Sequence, residues 1–300
     1  MVNPSELYEL HDDDFDVPRG LHLIAGLTGF TDSGSTISQL GNHIFEKLDY
    51  RVVAMFENDE LLDYRSRRPI MFFEKDHISS YEPQVLALYL VTDEVGQKFL
   101  YLHGYEPDFK WDAFVDAVLE IVDIFEVLDF TWVHSIPFPV PHTRPIGVMS
   151  TSQNEHARQE LEIERSQYEG PVGILSVLGI ELEKAGIPAV ALWASVPHYV
   201  HNTPSPKATL SLLIEVERLL GVQFDHGKLG EEAFAWERGI DEIAEGDDEM
   251  SNYISQLEKT RDEVESPAAS GESLAKEFEK FLRAENKDAP EGSNDSEDEN

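Results

Sequence analysis

The sequence predicts an α/β protein in which helices cover both faces of one sheet, a three-layer α/β/α domain. Two observations predict it. Short continuous apolar runs bounded by Gly or Pro are typical of strands buried on both faces of a sheet. Amphipathic stretches of helical period lie between these runs, and strands that alternate with helices favour a layered α/β architecture.

Eight segments have the pattern of strands. They combine β-branched, aromatic and other apolar residues over four to eight positions, which is the usual length of a buried strand. The predicted strands are 21–25, 52–56, 70–73, 85–92, 99–103, 131–136, 146–150 and 189–196.

Apolar residues that recur every three or four positions predict the helices. In segment 111–128, Phe114, Val118 and Val122 fall on one side and acidic residues on the other. Another helix is predicted to begin at Pro206, because Ser205 before it is a good N-cap and proline is favoured at the first helical position.

The chain divides where its hydrophobicity drops. Residues 1–224 are predicted as the α/β/α domain, with 1–18 as an acidic arm. Residues 225–284 are polar with a sparse helical pattern and are predicted as a helical extension. Residues 285–300 are rich in acids and poor in apolar side chains, so they are predicted as a disordered acidic tail. The helical spacing in the extension includes Leu274, Phe278, Phe281 and Leu282.

Composition argues against several classes of function. The 300 residues include 59 acidic and 23 basic side chains, a net charge of −36, which disfavours nucleic-acid binding and a polybasic membrane anchor. The absence of cysteine excludes disulfides, thiolate zinc sites and cysteine nucleophiles. The first residues lack a signal-peptide pattern, and the longest apolar run, 187–196, is shorter than the roughly 20 residues of a membrane span. We therefore expect a soluble, cytoplasmic protein.

A glycine-containing loop follows the first predicted strand. It includes Gly29, Asp32, Ser33 and Gly34 and leads directly into a helix. Free backbone N–H groups at a helix N-terminus can bind an anion, so these four residues are candidate ligand contacts. The alternative is a tight turn in which Asp32 or Ser33 caps the helix. Neither a phosphate-cradling P-loop nor a dinucleotide fingerprint is present.

Two further candidate loops also follow strands. Segment 137–145 holds four prolines and follows the predicted strand 131–136. His134 in that strand and His142 and Arg144 in the segment lie near the carboxyl end of the strand, where open α/β sheets bind ligands. The alternative is a rigid loop in which Arg144 pairs with one of the many carboxylates. His198, in the loop after the last strand, is a further candidate for binding a ligand or a partner. The sequence around it has no zinc-binding motif, so packing or an interface is the favoured role.

No catalytic nucleophile, cofactor motif or metal set is predicted from these segments. The one basic cluster is Arg65, Arg67 and Arg68, which we expect to neutralise neighbouring carboxylates.

Several short motifs follow one another along the chain: GFTDSG at 29–34, HTRP at 142–145, TS at 151–152, GPVGIL at 170–175, VPHY at 196–199, PSPKAT at 204–209 and LAKEFEKFLR at 274–283. In this order they resemble the proteasome assembly chaperone 2 family in its actinobacterial form. The resemblance covers roughly residues 21–221 and continues into the helical extension. It implies a phosphorylase/hydrolase-like α/β/α fold, homo-oligomers such as trimers, and proteasome-related partners.

Two functional hypotheses follow. The first is a noncatalytic protein-interaction module that acts as a homo-oligomer. The alternative is a phosphorylase/hydrolase-like enzyme or sensor that binds a nucleoside or another small anionic ligand, with the loop N–H groups and Arg144 holding the anion and His134 or His198 moving a proton. The alternative requires Asp32, Arg144 and His198 to meet in one pocket.

Overall fold

The computed structural model describes residues 3–11, 17–161 and 168–265. The strands are β1 Tyr8–Leu10, β2 His22–Thr28, β3 Asp49–Phe56, β4 Ile70–Glu74, β5 His77–Glu82, β6 Leu86–Thr92, β7 Lys98–Tyr105, β8 Asp129–Phe138, β9 Val148–Thr151 and β10 Ala189–Pro197. The helices are α1 Thr36–Lys47, α2 Asn58–Leu61, α3 Trp111–Ile124, α4 Glu155–Glu160, α5 Ile174–Lys184, α6 Pro206–Leu220, α7 Leu229–Glu245 and α8 Asp248–Glu265.

Eight strands form one mixed sheet in the order β1-β3-β6-β7-β2-β8-β10-β9. The central strands β7, β2, β8 and β10 are parallel, and the outer strands pair antiparallel. The parallel centre explains the continuous apolar runs, because both of its faces are covered. The predicted α/β fold is confirmed.

Helices pack on the two faces of this sheet and give the three layers. Helices α3 and α5 cover one face, with Phe114 and Leu178 fully buried. Helices α1 and α6 cover the other face, with Ile37 and Leu212 fully buried. Burying a side chain of this size stabilises the fold by about 2 kcal/mol, so both faces contribute to the core.

Each predicted strand overlaps an observed one, and the ends of two helices show how local sequence sets the boundaries. Helix α6 begins as predicted, with Pro206 in its first turn and the Ser205 side chain accepting a hydrogen bond from the Ala208 N–H. Helix α3 stops at Ile124, four residues before the predicted end, because Glu126 turns into the left-handed region ahead of β8.

The ends of the chain are described in part. Within the predicted acidic arm, Tyr8–Leu10 forms edge strand β1 on β3, and Leu7 beside it is buried. Within the predicted helical extension, α7 packs on α6 and α8 follows. The predicted acidic tail, 285–300, and the helical pattern at 274–282 lie outside the described residues.

Strands β4 and β5 form a separate two-stranded sheet. All residues of both strands are exposed, in contrast to the buried strands of the large sheet. Among the helices that the structure describes, none is long and apolar enough to cross a membrane.

Candidate functional site

The three predicted loops meet at the carboxyl edge of the parallel strands. The Gly34 N–H donates to the His201 carbonyl at 2.7 Å, and the Ser205 N–H donates to the Gly34 carbonyl at 2.8 Å. The His142 N–H donates to the Tyr199 hydroxyl oxygen at 2.7 Å. The loop after β2 thus contacts the loop after β10, which in turn contacts the loop after β8.

Asp32 organises the start of α1. Its carboxylate accepts hydrogen bonds from the Ile37 N–H at 2.7 Å and the Ser38 hydroxyl at 2.6 Å. Burial raises the pKa of Asp32, and these hydrogen bonds to the carboxylate oppose that rise. The same loop is fixed to β8, because the Ser135 hydroxyl donates to the Ser33 carbonyl at 2.8 Å.

Glu106, which the sequence analysis did not single out, fills the space beside this loop. Its carboxylate accepts from the Phe30 N–H at 3.1 Å and from the Ile174 N–H at the start of α5 at 2.8 Å. A Cβ built on Gly29 or Gly173 would lie 2.8 or 3.1 Å from a Glu106 carboxylate oxygen. The chain's own carboxylate therefore occupies backbone donors that an external anion would need. One Glu among 59 acids carries no local signal that would have identified it.

His134 lies beneath the first loop, with 1% of its surface exposed. Its Nδ1 hydrogen-bonds to the Thr31 hydroxyl, and its ring centroid is 4.3 Å from that of Trp193. Burial lowers the pKa of His134 to about 3, so the imidazole is neutral at physiological pH. Its Nε2 has no hydrogen-bond partner among the described residues.

His142 and His198 face the C-terminal helices. The Tyr199 hydroxyl lies 2.8 Å from His142 Nδ1, and His142 Nε2 is 3.1 Å from an oxygen of Asp241 on α7. His198 Nε2 is 3.2 Å from the Tyr253 hydroxyl on α8. Burial lowers the pKa of His142, although the contact with Asp241 acts in the opposite direction.

Arg144 and Lys207 bind the acidic residues of these helices. Arg144 donates from Nε and Nη2 to the two carboxylate oxygens of Asp262, each at 2.8 Å, and from Nη1 to Glu258 at 3.2 Å. Arg144 thereby lowers the pKa of the Asp262 carboxyl. Lys207 pairs with Glu237 on α7. On α7 the two carboxylates in contact with this edge of the sheet are Glu237 and Asp241, and on α8 they are Glu258 and Asp262. The two members of each pair are four residues apart, so they lie on the same side of their helix.

The candidate residues fall into two groups. Gly29, Asp32, Ser33 and Gly34 lie in the first loop, and His134 joins them through Thr31. His142, Arg144 and His198 lie under α7 and α8, where each contacts a helix side chain. Their role in binding stays a prediction.

Comparison with known proteins places the chain in a family. The model of the PAC2 family matches residues 26–244. The chain belongs to the PAC2 family. Among curated proteins, no match to this PAC2 protein is found.

Three solved structures show how similar the PAC2 protein is to its relatives. A Mycobacterium tuberculosis protein of unknown function is 34% identical, with 86% of this chain and 91% of that chain covered and a TM-score of 0.79. A Corynebacterium glutamicum protein of unknown function is 31% identical, with 86% and 97% covered and a TM-score of 0.79. A proteasome-assembly chaperone homologue from Mycobacterium tuberculosis is 28% identical, with 78% and 100% covered and a TM-score of 0.71.

Replacing Arg144 by alanine will loosen α8. The change leaves Glu258 and the exposed Asp262 without their cation and removes the contacts that tie α8 to the loop after β8. Hydrogen exchange of the α8 amides should accelerate a few-fold at pH 7. The matched control is Arg65→Ala, which removes an exposed pair with Asp63 and should leave exchange unchanged. Unchanged α8 exchange in the Arg144 variant would contradict the assignment.

Proposed function

We propose that this PAC2 protein is a noncatalytic protein-interaction module that self-associates as a homo-oligomer and binds proteasome-related proteins. The observation that carries the proposal is the exposed hairpin β4–β5. Its cross-strand pairs place Met71 beside Tyr81 and Phe73 beside Ile78. An isolated hairpin is at best marginally stable in water, and a contiguous exposed apolar surface is typical of a protein contact.

Apolar side chains lie on both faces of this hairpin. One face carries the cross-strand pairs Met71–Tyr81 and Phe73–Ile78. The other face carries Phe72, which is paired with Ser80. The large apolar side chains of the hairpin are between 46% and 67% exposed. Nothing in the described part of the same chain covers them, which supports a contact with a partner at this surface.

Charge favours a second copy of the chain as this partner. Residues 64–83 contain four basic and three acidic side chains, 4 − 3 = +1, whereas the whole chain carries −36. Two copies repel one another over most of their surfaces, and contact is least opposed where the local charge is not negative. The hairpin is such a place.

The engaged loops support a noncatalytic role. The N–H groups of Phe30 and Gly34 donate to Glu106 and to the His201 carbonyl, and Arg144 binds α8. The groups that a phosphorylase-like site would use to hold an anion are thus bound to the chain itself. The relative described as a proteasome-assembly chaperone homologue supports proteasome-related partners.

The test of self-association replaces Phe73 and Tyr81 by aspartate together. Two buried charges oppose the apolar contact, so we expect the dissociation constant of the oligomer to rise at least a hundredfold. Light scattering should give a multiple of 34.0 kDa for the wild type and 34.0 kDa for the variant. The control is Val95→Asp, an exposed apolar position in the β6–β7 turn, which should keep the wild-type mass.

The proteasome part of the proposal has its own readout. Purified proteasome core α-subunits from the same host are mixed with the wild-type chain, and co-migration in native mass spectrometry is expected. Lack of co-migration would overturn the proteasome partner. A wild type at single-chain mass, or a double variant at wild-type mass, would overturn self-association through the hairpin.

A further inference from the structure

Exposed apolar side chains also come from the chain segments beside the Glu106 carboxylate, and we call this set the Glu106 rim. Its members are between 48% and 60% exposed. They come from three separate segments that meet at the Glu106 carboxylate, which binds the N–H groups of Phe30 and Ile174. The members of the rim are Phe30, Phe109, Tyr168 and Val172.

We propose that the Glu106 rim of one copy receives the β4–β5 hairpin of another copy. The inference rests on the proposed homo-oligomer and names the surface on which the hairpin lands. The contact is between two unlike surfaces, so each copy contributes a hairpin to one neighbour and a rim to another or to the same one.

The position of the hairpin within one chain supports this pairing. Its base is anchored by Arg67, which pairs with Asp108 and lies 5.6 Å over the Tyr105 ring. Tyr105 and Asp108 flank Glu106 in the sequence, so the hairpin leaves the domain beside the rim. Yet the apolar residues of hairpin and rim are both exposed, which shows that the hairpin does not fold back onto its own rim.

Charge complements the apolar match. Arg68 and Lys75, at the base and the tip of the hairpin, are exposed and make no ion pair within the part of the chain that the structure describes. Glu106 and Glu169 at the rim likewise have no cationic partner among those residues. Docking of hairpin on rim brings the two unpaired cations toward unpaired acids, which fixes orientation and suppresses the repulsion between acidic copies.

Because the two surfaces are unlike, each can be disrupted by substitution in a separate variant, and the two variants can then be mixed. The hairpin variant is Phe73→Asp with Tyr81→Asp, and the rim variant is Phe30→Asp with Val172→Asp. Each variant alone lacks one half of every contact and should have the mass of a single chain. In an equimolar mixture, the intact rim of the first variant meets the intact hairpin of the second. A two-chain complex with one copy of each variant is expected.

Native mass spectrometry with one variant labelled with ¹⁵N identifies that complex directly. Circular dichroism and melting curves first establish that each variant is folded. If the rim variant is not, the single change Phe30→Asp takes its place, since Phe30 is the most exposed member of the rim. A mixed dimer supports the pairing.

The other outcomes separate the two proposals. A rim variant that keeps the wild-type mass overturns the rim as the receiving surface and leaves the hairpin-mediated oligomer standing. Two monomeric variants that fail to recombine also overturn the pairing. A monomeric wild type overturns the homo-oligomer itself, and a hairpin variant of wild-type mass overturns the hairpin as the surface through which the copies associate.

Discussion

Replacing Gly104 by alanine is expected to lower the free energy of unfolding by about 4 kcal/mol or more at 25 °C. Gly104 lies in β7 with a φ of +140°, and a Cβ there would be 2.2 Å from the Val85 carbonyl oxygen and 2.6 Å from Leu86 Cα. Both atoms belong to the backbone at the start of β6, so they cannot move aside as the end of a flexible side chain could. Backbone strain of about 1 to 3 kcal/mol and overpacking of similar size add to about 4 kcal/mol or more, a large part of a typical stability of about 5 to 15 kcal/mol.

Urea unfolding followed by circular dichroism measures this loss, and two alanine variants separate its causes. Gly96→Ala has a φ of +89° with no atom within 4 Å of the new Cβ, so it reports backbone strain alone, about 1 to 2 kcal/mol. Gly239→Ala in α7 also has open space and should stabilise the protein by up to about 1 kcal/mol. A Gly104 variant within 1 kcal/mol of the wild type would contradict the expectation.

The large sheet was predictable because its buried strands are continuous apolar runs in the sequence. Segment 85–92 is apolar up to Val91, and β6 spans Leu86–Thr92. Strand β5 was not predicted, because His77–Glu82 is mostly polar and forms a strand only by pairing with β4. Strand β1 has three residues, which is too short for any periodicity to be recognised.

The candidate loops were predictable in position but their contacts were not. Glycines and prolines mark the turns after β2, β8 and β10, and parallel strands bring such turns to one edge. Arg144 meets Glu258 and Asp262 across more than a hundred residues. No local pattern selects these two carboxylates from 59, because the choice depends on how α8 packs.

The free energy of unfolding is expected to fall steeply as pH is lowered from 7 to 5. Burial lowers the pKa of His103 to about 4 and that of His134 to about 3, against 6.5 for an unperturbed imidazole. Below pH 6.5 the unfolded chain binds protons that the folded chain does not, so stability decreases until the pH reaches the folded pKa. At pH 5 each histidine contributes a loss of about 2 kcal/mol relative to pH 7.

Two other histidines modify this loss. His142 acts in the same direction, because burial also lowers its pKa. His22 acts in the opposite direction, because its hydrogen bond to Asp129 raises its pKa, and its contribution to stability is present at low pH and lost as pH rises through the folded value. The large downward pKa shifts of His103 and His134 outweigh the upward shift of this one partly exposed pair, so the net slope is a loss on acidification.

Urea unfolding at intervals between pH 7 and 5 tests the assignment, with His134→Phe as the informative variant. Phenylalanine keeps an aromatic ring between Trp132 and Trp193 and removes one proton from the difference between folded and unfolded chains. The variant should lose about 2 kcal/mol less than the wild type over this range, whatever its stability at pH 7. Equal slopes for wild type and His134→Phe would mean that His134 binds its proton in the folded protein between pH 7 and 5. That result would contradict the lowered pKa of His134.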